Sequence, residues 1–248
     1  MVKSIEKMLK ILSLYTMDRT SLSISEIQEE LNYPKSTIFR LLDTLEAYNY
    51  IERNLDNHRY SLGFNFFRLG SIVQNQLDFR SVSLPIMKSL MEQTNETVEL
   101  NVIDGSNRIC VEKVDSPLDV RNFVRIGERK PIHLGASGKV LLTFLPENEK
   151  KQVIENLGNE ISSYEIEQLL EEMESIKSSG YCVTTGERVP GSFAVAVPLF
   201  GQNGQMVASL TIAGPIQRLS DERERELIEI LLKGATEINE RLGYMVRS

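Results

Sequence analysis

Lys35-Ser-Thr-Ile-Phe-Arg-Leu-Leu-Asp-Thr-Leu-Glu46 is amphipathic in a way that suits a nucleic-acid duplex. At about 100° per residue, Ile38, Leu41, Leu42 and Leu45 gather into one apolar stripe. Ser36, Arg40 and Asp43 gather on the opposite side, flanked by Thr37 and Thr44. A helix that reads DNA needs this division: an apolar back held by a bundle, and short polar or arginine side chains facing a groove. Arg40 can donate two hydrogen bonds to a guanine edge. Lys35, Ser36 and Thr37 stand at the helix start, where free backbone N–H groups favour phosphate. An ordinary surface helix carries the same pattern, so the neighbouring segments decide between the two readings.

Upstream, residues 3–15 have helical spacing, with Lys3, Lys7 and Lys10 on one face, read as a solvated face. Residues 21–25 offer N-cap hydroxyls, and Ser25 with Gln28 has capping-box spacing ahead of a short helix to Leu31. Asn32-Tyr33-Pro34 is a turn, with Pro34 suited to a first helical position. Downstream of Tyr48, residues 51–53 and 59–62 read as two short strands around the polar turn Leu55-Asp56-Asn57-His58. Arg59 on that hairpin is expected over the adjacent DNA backbone. Helix, helix, tight turn, helix, hairpin is the order of a winged helix-turn-helix.

Further outward the pattern changes. Residues 64–76 are read as a linker helix, with a core helix of one merged domain as the alternative, and 83–93 as the first helix of a second domain. Strands are expected at 97–104, 108–115, 120–126, 181–184, 193–200 and 205–213. Helices are expected at 136–144, 147–157, 163–178 and 220–243, the last capped by Ser220. Paired strands with helices set apart give an α+β fold with a mostly antiparallel sheet. The expected division is 1–62, a linker at 63–82, and 83–248.

Composition sets the limits. The 248 residues are 41% hydrophobic, enough for a real core. Net charge is −7, and the first 62 residues carry eight lysines and arginines against nine aspartates and glutamates. Binding to DNA therefore depends on locally placed cations, not on a basic domain. Two cysteines, Cys110 and Cys182, make neither a disulfide framework nor a zinc motif. No secretory leader and no apolar run of about 18 residues are visible, so a cytoplasmic protein without a membrane partner is expected.

Enzyme readings are weaker. Gly135-Ala-Ser-Gly-Lys139 suggests a phosphate loop, but His133 stands where the first glycine belongs and Val140 where serine or threonine belongs. His133 precedes Ser137 without a nucleophile elbow and is read as a hydrogen-bonded structural histidine. No metal site or cofactor is expected. A small-molecule-processing enzyme with an N-terminal oligomerisation module remains the alternative.

The stretch 22–63 resembles the DNA-binding domain of IclR-family regulators. Two later blocks strengthen the resemblance. One is Pro131-Ile-His-Leu-Gly-Ala-Ser-Gly-Lys-Val-Leu-Leu-Thr-Phe-Leu-Pro146. The other runs through Gly180-Tyr181, Gly186-Glu187, Pro190-Gly191, residues 194–200 and Ser209-Leu-Thr-Ile-Ala-Gly-Pro215. The resemblance implies a GAF-like effector-binding domain, a helical linker used in dimerisation, and homodimers or dimers of dimers on palindromic operator DNA. Repression is the more frequent behaviour of such regulators. It places Ala136, Ser137, Thr184, Ser192, Ala194, Thr211 and Ala213 on the effector pocket. The helix start at Gly135 favours a carboxylate or sugar acid. Glu187 is left open between a loop anchor and a ligand contact. Thr184-Thr185 stands where relatives often have an acidic pair.

Overall fold

The computed structural model describes residues 2–75 and 78–244. The chain divides into two compact units, residues 1–76 and 77–248.

The first unit opens with α1 (Lys3–Leu12), then β1 (Ser21–Leu22), α2 (Ile24–Leu31), α3 (Lys35–Ala47), β2 (Ile51–Arg53), β3 (Tyr60–Leu62) and α4 (Phe64–Asn75). Ile11, Leu22, Ile27, Ile38, Leu42, Leu45, Ile51 and Tyr60 form its core. Three of these are the α3 stripe, which is what fixes that helix's rotation. The cap of α2 differs from the expected one. Ser23, not Ser25, is the N-cap: its hydroxyl accepts from the Glu26 backbone N–H, and Glu26 accepts from the Ser23 N–H at 2.7 Å. Ser25 and Gln28 are therefore already inside the helix. Ser21 and Leu22, expected only to offer a cap hydroxyl, form a short strand that pairs antiparallel with β3 in the order β1-β3-β2. Asn32 closes α2 in the left-handed conformation, and Pro34 caps α3 instead of occupying its first turn.

The second unit runs α5 (Asp78–Thr94), β4 (Thr97–Asp104), β5 (Asn107–Val114), β6 (Arg129–Pro131), α6 (Ala136–Thr143), α7 (Glu147–Leu157), α8 (Ser163–Ser179), β7 (Cys182–Thr185), β8 (Ser192–Phe200), β9 (Met206–Pro215) and α9 (Asp221–Arg241). A 3-10 turn at Ile216–Arg218 precedes α9, which Ser220 caps through the Arg223 N–H. The six strands form one antiparallel sheet in the order β6-β5-β4-β9-β8-β7. The fold is α+β, as the alternation of segments implies.

Two expectations fail here. α5 begins at Asp78, not near 83, and carries Pro85 inside it. No strand forms at 120–126. The alternation there is real, with Asn122 and Val124 buried and Val120 and Phe123 exposed. However, the free edge of β5 is taken by β6, through Asn107↔Pro131 and Ile109↔Arg129.

Alternation along the central strands sorts the faces. Val98, Leu100, Val195, Val197, Leu210 and Ile212 enter one core with Leu90 of α5 and Leu227, Leu231 and Ile238 of α9. The opposite face meets α6, α7 and α8 through two smaller apolar clusters. Between those clusters the sheet is polar.

Candidate nucleic-acid interface and effector site

In the first unit, Ile38 and Leu42 are fully buried and Leu45 nearly so, while Lys35, Ser36, Arg40, Asp43 and Thr44 are exposed and Thr37 is half-buried. The sequence-derived division of α3 holds except at Leu41, expected in the apolar stripe but half-buried and lining a cleft beside α1. The Thr44 hydroxyl donates to the Arg40 carbonyl at 2.8 Å, which ties its oxygen to the helix. A cleft of about 510 Å³ lies between α1 and α3, lined by Lys3, Lys7, Met8, Thr37, Arg40 and Thr44. It brings two cations of α1 beside Arg40, a juxtaposition that the spacing of α1 alone does not reveal. Lys7 sits over the Tyr33 ring at 5.1 Å, and Lys10 pairs with Glu6 at 3.1 Å.

Arg59, expected over the DNA backbone, has partners within the unit. Its guanidinium is engaged within the unit: Nε donates to Ser21 Oγ at 2.9 Å, and a terminal nitrogen to the Ser21 carbonyl at 2.8 Å and to Glu26 at 3.0 Å. It clamps β1 to the wing and to α2. Glu26 has its carboxyl held down at about 2, first by the Ser23 backbone N–H, then by the Ser23 side chain and Arg59.

In the second unit, the start of α6 is already satisfied. The Ala136 N–H donates to Thr184 Oγ1 at 3.1 Å, and the Gly135 N–H to Glu187 at 3.1 Å. Glu187 also meets Lys139 at 2.8 Å, and Lys139 reaches Glu172 of α8 at 2.6 Å. Burial pulls the Lys139 ammonium down, but the hydrogen bonds to Glu172 and Glu187 outweigh it and leave its pKa raised. Glu187 thus ties its loop to the start of α6. Gly138 explains the glycine-rich run without any phosphate: a Cβ there would crowd the Ile132 backbone, 2.9 Å from its carbonyl carbon and closer to its oxygen.

The expected pocket residues separate. Ala136, Ser137, Thr184, Thr211 and Ala213 are buried, and Ala194 is half-buried. Thr184↔Ala194 and Ala194↔Ala213 are cross-strand neighbours, with Ala196↔Thr211 two residues on. Ser192 stands at the end of β8, its hydroxyl donating to the Val189 carbonyl at 2.7 Å. Four residues that sequence reading did not single out share this face. Register sets Glu99 opposite Thr211, Asn101 opposite Ser209, and Asn101 opposite Cys110, two residues from Arg108. Arg108 donates to Asn101 Oδ1 at 2.5 Å. Glu99 accepts from Asn122 at 2.6 Å and lies 3.8 Å from Arg188, which also donates to Asn122 at 2.9 Å. Their shared strand parity was the only signal available in the sequence.

His133 is not the hydrogen-bonded histidine expected. Its Nδ1 is buried without a partner among the described residues, and burial lowers its pKa, so the ring is neutral. Burial pushes both Cys110 and Cys182 up to about 12, which keeps the thiols protonated and unreactive. Among the described residues no cluster suits a metal ion, and no helix is long and apolar enough to cross a membrane.

A winged helix-turn-helix with an outward polar third helix, followed in the same chain by an α+β unit, defines a DNA-binding transcriptional regulator. Two family models cover most of the chain: the IclR helix-turn-helix domain at residues 4–55 and the bacterial transcriptional regulator IclR C-terminal domain at 72–240. The chain belongs to the IclR family of bacterial transcriptional regulators. It is 31% identical to the HTH-type transcriptional regulator KdgR of Escherichia coli (strain K12), across 98% of this chain and 94% of that one. Thermotoga maritima IclR superposes with a TM-score of 0.71 at 29% identity, across 98% and 100% of the two chains. An IclR homolog of Microbacterium hydrocarbonoxydans complexed with 4-hydroxybenzoate has the same fold, with a TM-score of 0.80 at 24% identity over 96% and 98%. The family and these relatives are regulators, not enzymes, which removes the alternative of a processing enzyme.

Proposed function

We propose that the protein is an effector-controlled repressor that reads operator DNA with Lys35, Ser36, Thr37, Arg40 and Thr44 of α3 and binds a small molecule on the polar sheet face beneath α6. The observation that carries the DNA half is the rotation of α3: its apolar stripe is buried and Arg40 stands exposed beside the α1 lysines. Arg59 serves this surface indirectly, by holding the wing. Residues 1–62 are assigned to DNA binding, 63–82 to linking subunits in a homodimer or dimer of dimers, and 83–248 to the effector. Exposed Phe64, Phe67, Ile72 and Val73 on α4 support the linking role.

The effector half rests on Thr184, Ala194, Thr211 and Ala213 of the sheet and Ala136 and Ser137 at the start of α6, small or hydroxylated residues. The family relative bound to 4-hydroxybenzoate supports an organic acid as the class of ligand. Ligand binding shifts the population between states that differ in operator affinity.

The test is selection from a random duplex library with the full chain, followed by the same selection with Arg40→Ala. The wild-type chain enriches one half-site sequence. The variant loses about 10–100-fold in affinity for it, the equivalent of ~1–3 kcal/mol for a bidentate base contact. An Arg40→Ala chain that binds the enriched site unchanged refutes the assignment of α3.

A further inference from the structure

Four polar atoms on the sheet face beneath α6 are buried without a hydrogen-bond partner among the described residues: Arg108 Nε, Asn101 Nδ2, Ser209 Oγ and Thr211 Oγ1. The four residues are at most 2% exposed. They come from three adjacent strands, β5, β4 and β9, and register brings them side by side. Buried polar groups in folded proteins almost always find partners, so four orphans on one face mark a place built to receive polar atoms from outside the chain.

Charge narrows what those atoms belong to. Lys139 is compensated by Glu172 and Glu187, and Glu99 by Arg188 with Asn122 between them. Arg108 has no carboxylate in contact: among the described residues its guanidinium meets only the neutral Asn101 oxygen, and Glu99 and Glu128 act on it from beyond contact distance. A buried cation facing a neutral acceptor is costly unless an anion joins it. Burial accordingly lowers the Arg108 pKa, against the pull of Glu99. The other anion seat on this side of the sheet, the N-terminus of α6, is occupied from within by Thr184 and Glu187.

We infer that Arg108 is the residue that selects the effector, pairing with the carboxylate of a small monoanion whose hydroxyl or keto oxygens bond to Asn101, Ser209 and Thr211. This deepens the effector-site reading and rests on it. Guanidinium Nε supplies a donor for the carboxylate, the Asn101 amide N–H₂ supplies donors for a hydroxyl or keto oxygen, and the two hydroxyls take either donor or acceptor role with the rest of the molecule. One cation without a contacting carboxylate suits one carboxylate. A dicarboxylate brings a second charge for which this face has no free cation among the described residues.

The test uses calorimetric titration of the full chain with glycolate, D-glycerate, pyruvate and D-gluconate, each beside its neutral counterpart: ethylene glycol, glycerol, hydroxyacetone and sorbitol. At least one acid is expected to bind, with its neutral partner weaker by about 30-fold or more. Arg108→Met keeps the volume and removes the charge. It is expected to weaken that acid by a similar factor, while its own melting temperature without ligand holds or rises, because an unpaired buried charge is gone. Thr211→Val, which exchanges an orphaned hydroxyl for a methyl, is expected to weaken the acid by about fivefold with the fold intact.

Four results overturn the inference. One is an acid bound equally by Arg108→Met. Another is a neutral partner bound as tightly as its acid; this leaves the effector site standing with a different ligand class. A third is an Arg108→Met chain that melts well below wild type without ligand, which makes Arg108 a strut. Silence from every acid also overturns it, and silence from the neutral compounds as well counts against the effector reading itself.

Discussion

Replacing Gly138 by alanine sets two effects against each other. Alanine is the better helix former by about 1 kcal/mol, so an open helical site gains from the change. Gly138 is not open. Its new Cβ would lie 2.9 Å from the Ile132 carbonyl carbon, 3.2 Å from the Ile132 Cα, and closest to the carbonyl oxygen. Ordinary contact begins near 3.4 Å, so α6 or the 132–135 segment must move by more than half an ångström. No flexible side chain end can swing aside, because every crowding atom is backbone, and Ile132 is itself fully buried. Overpacking of this kind costs about 1–3 kcal/mol, here at the upper end. Subtracting the helix gain leaves a net loss of roughly 2 kcal/mol. For a unit of this size that lowers the melting temperature by about 4–8 °C. Differential scanning calorimetry of the full chain reads it, with Gly70→Ala as the control. Nothing lies within 4 Å of a Cβ at Gly70, so that substitution should leave its transition unchanged or raise it. A Gly138→Ala chain that melts at or above wild type refutes the packing explanation of the glycine-rich run and reopens a ligand-based one.

Other consequences follow from the clamp at the base of the wing. Ser23→Ala removes the α2 cap and should cost about 1 kcal/mol in urea unfolding of the first unit. The Glu26 carboxyl is depressed from 4.5 to about 2, so its contribution is present above pH 4.5 and lost as pH falls toward 2. A Glu26→Gln chain should show a flatter acid limb across that window, and an unchanged limb would remove Glu26 from the account. Arg59→Met should destabilise the first unit by roughly 1–2 kcal/mol, through loss of the ties to Ser21 and Glu26. A drop in operator affinity without any loss of stability would instead make Arg59 a direct DNA contact.

The legible parts of the fold were those governed by local periodicity. The α3 stripe, the hairpin around Asp56 and the antiparallel alternation after residue 180 all express a repeat that one segment carries by itself. Errors arose where two segments compete. Ser23 and Ser25 both offer a hydroxyl three residues before an acceptor side chain, and β1 pairing with β3 decides for Ser23 by holding Leu22 extended. Residues 120–126 alternate like a strand, but the edge they would pair with belongs to β6. The effector face shows the same division. Thr184 and Thr211 were identifiable from the blocks that resemble the family. Arg108 and Asn101 were not, because a lone arginine and a lone asparagine acquire meaning only from the register that sets them beside Ser209.

The strand order of the second unit also bears on its synthesis. The central seam of the sheet joins β4 to β9, with Asn101 opposite Ser209, so the first half of the unit leaves the ribosome without its main ladder partner. At about 5–20 residues per second the wait is roughly 5–20 s. Throughout it, the Val98 and Leu100 backbone is an unprotected edge of the kind that recruits foreign strands. A stall in translation anywhere between α6 and β9 would prolong that exposure, so slow codons or starvation should favour aggregates of nascent chains over misfolded finished ones.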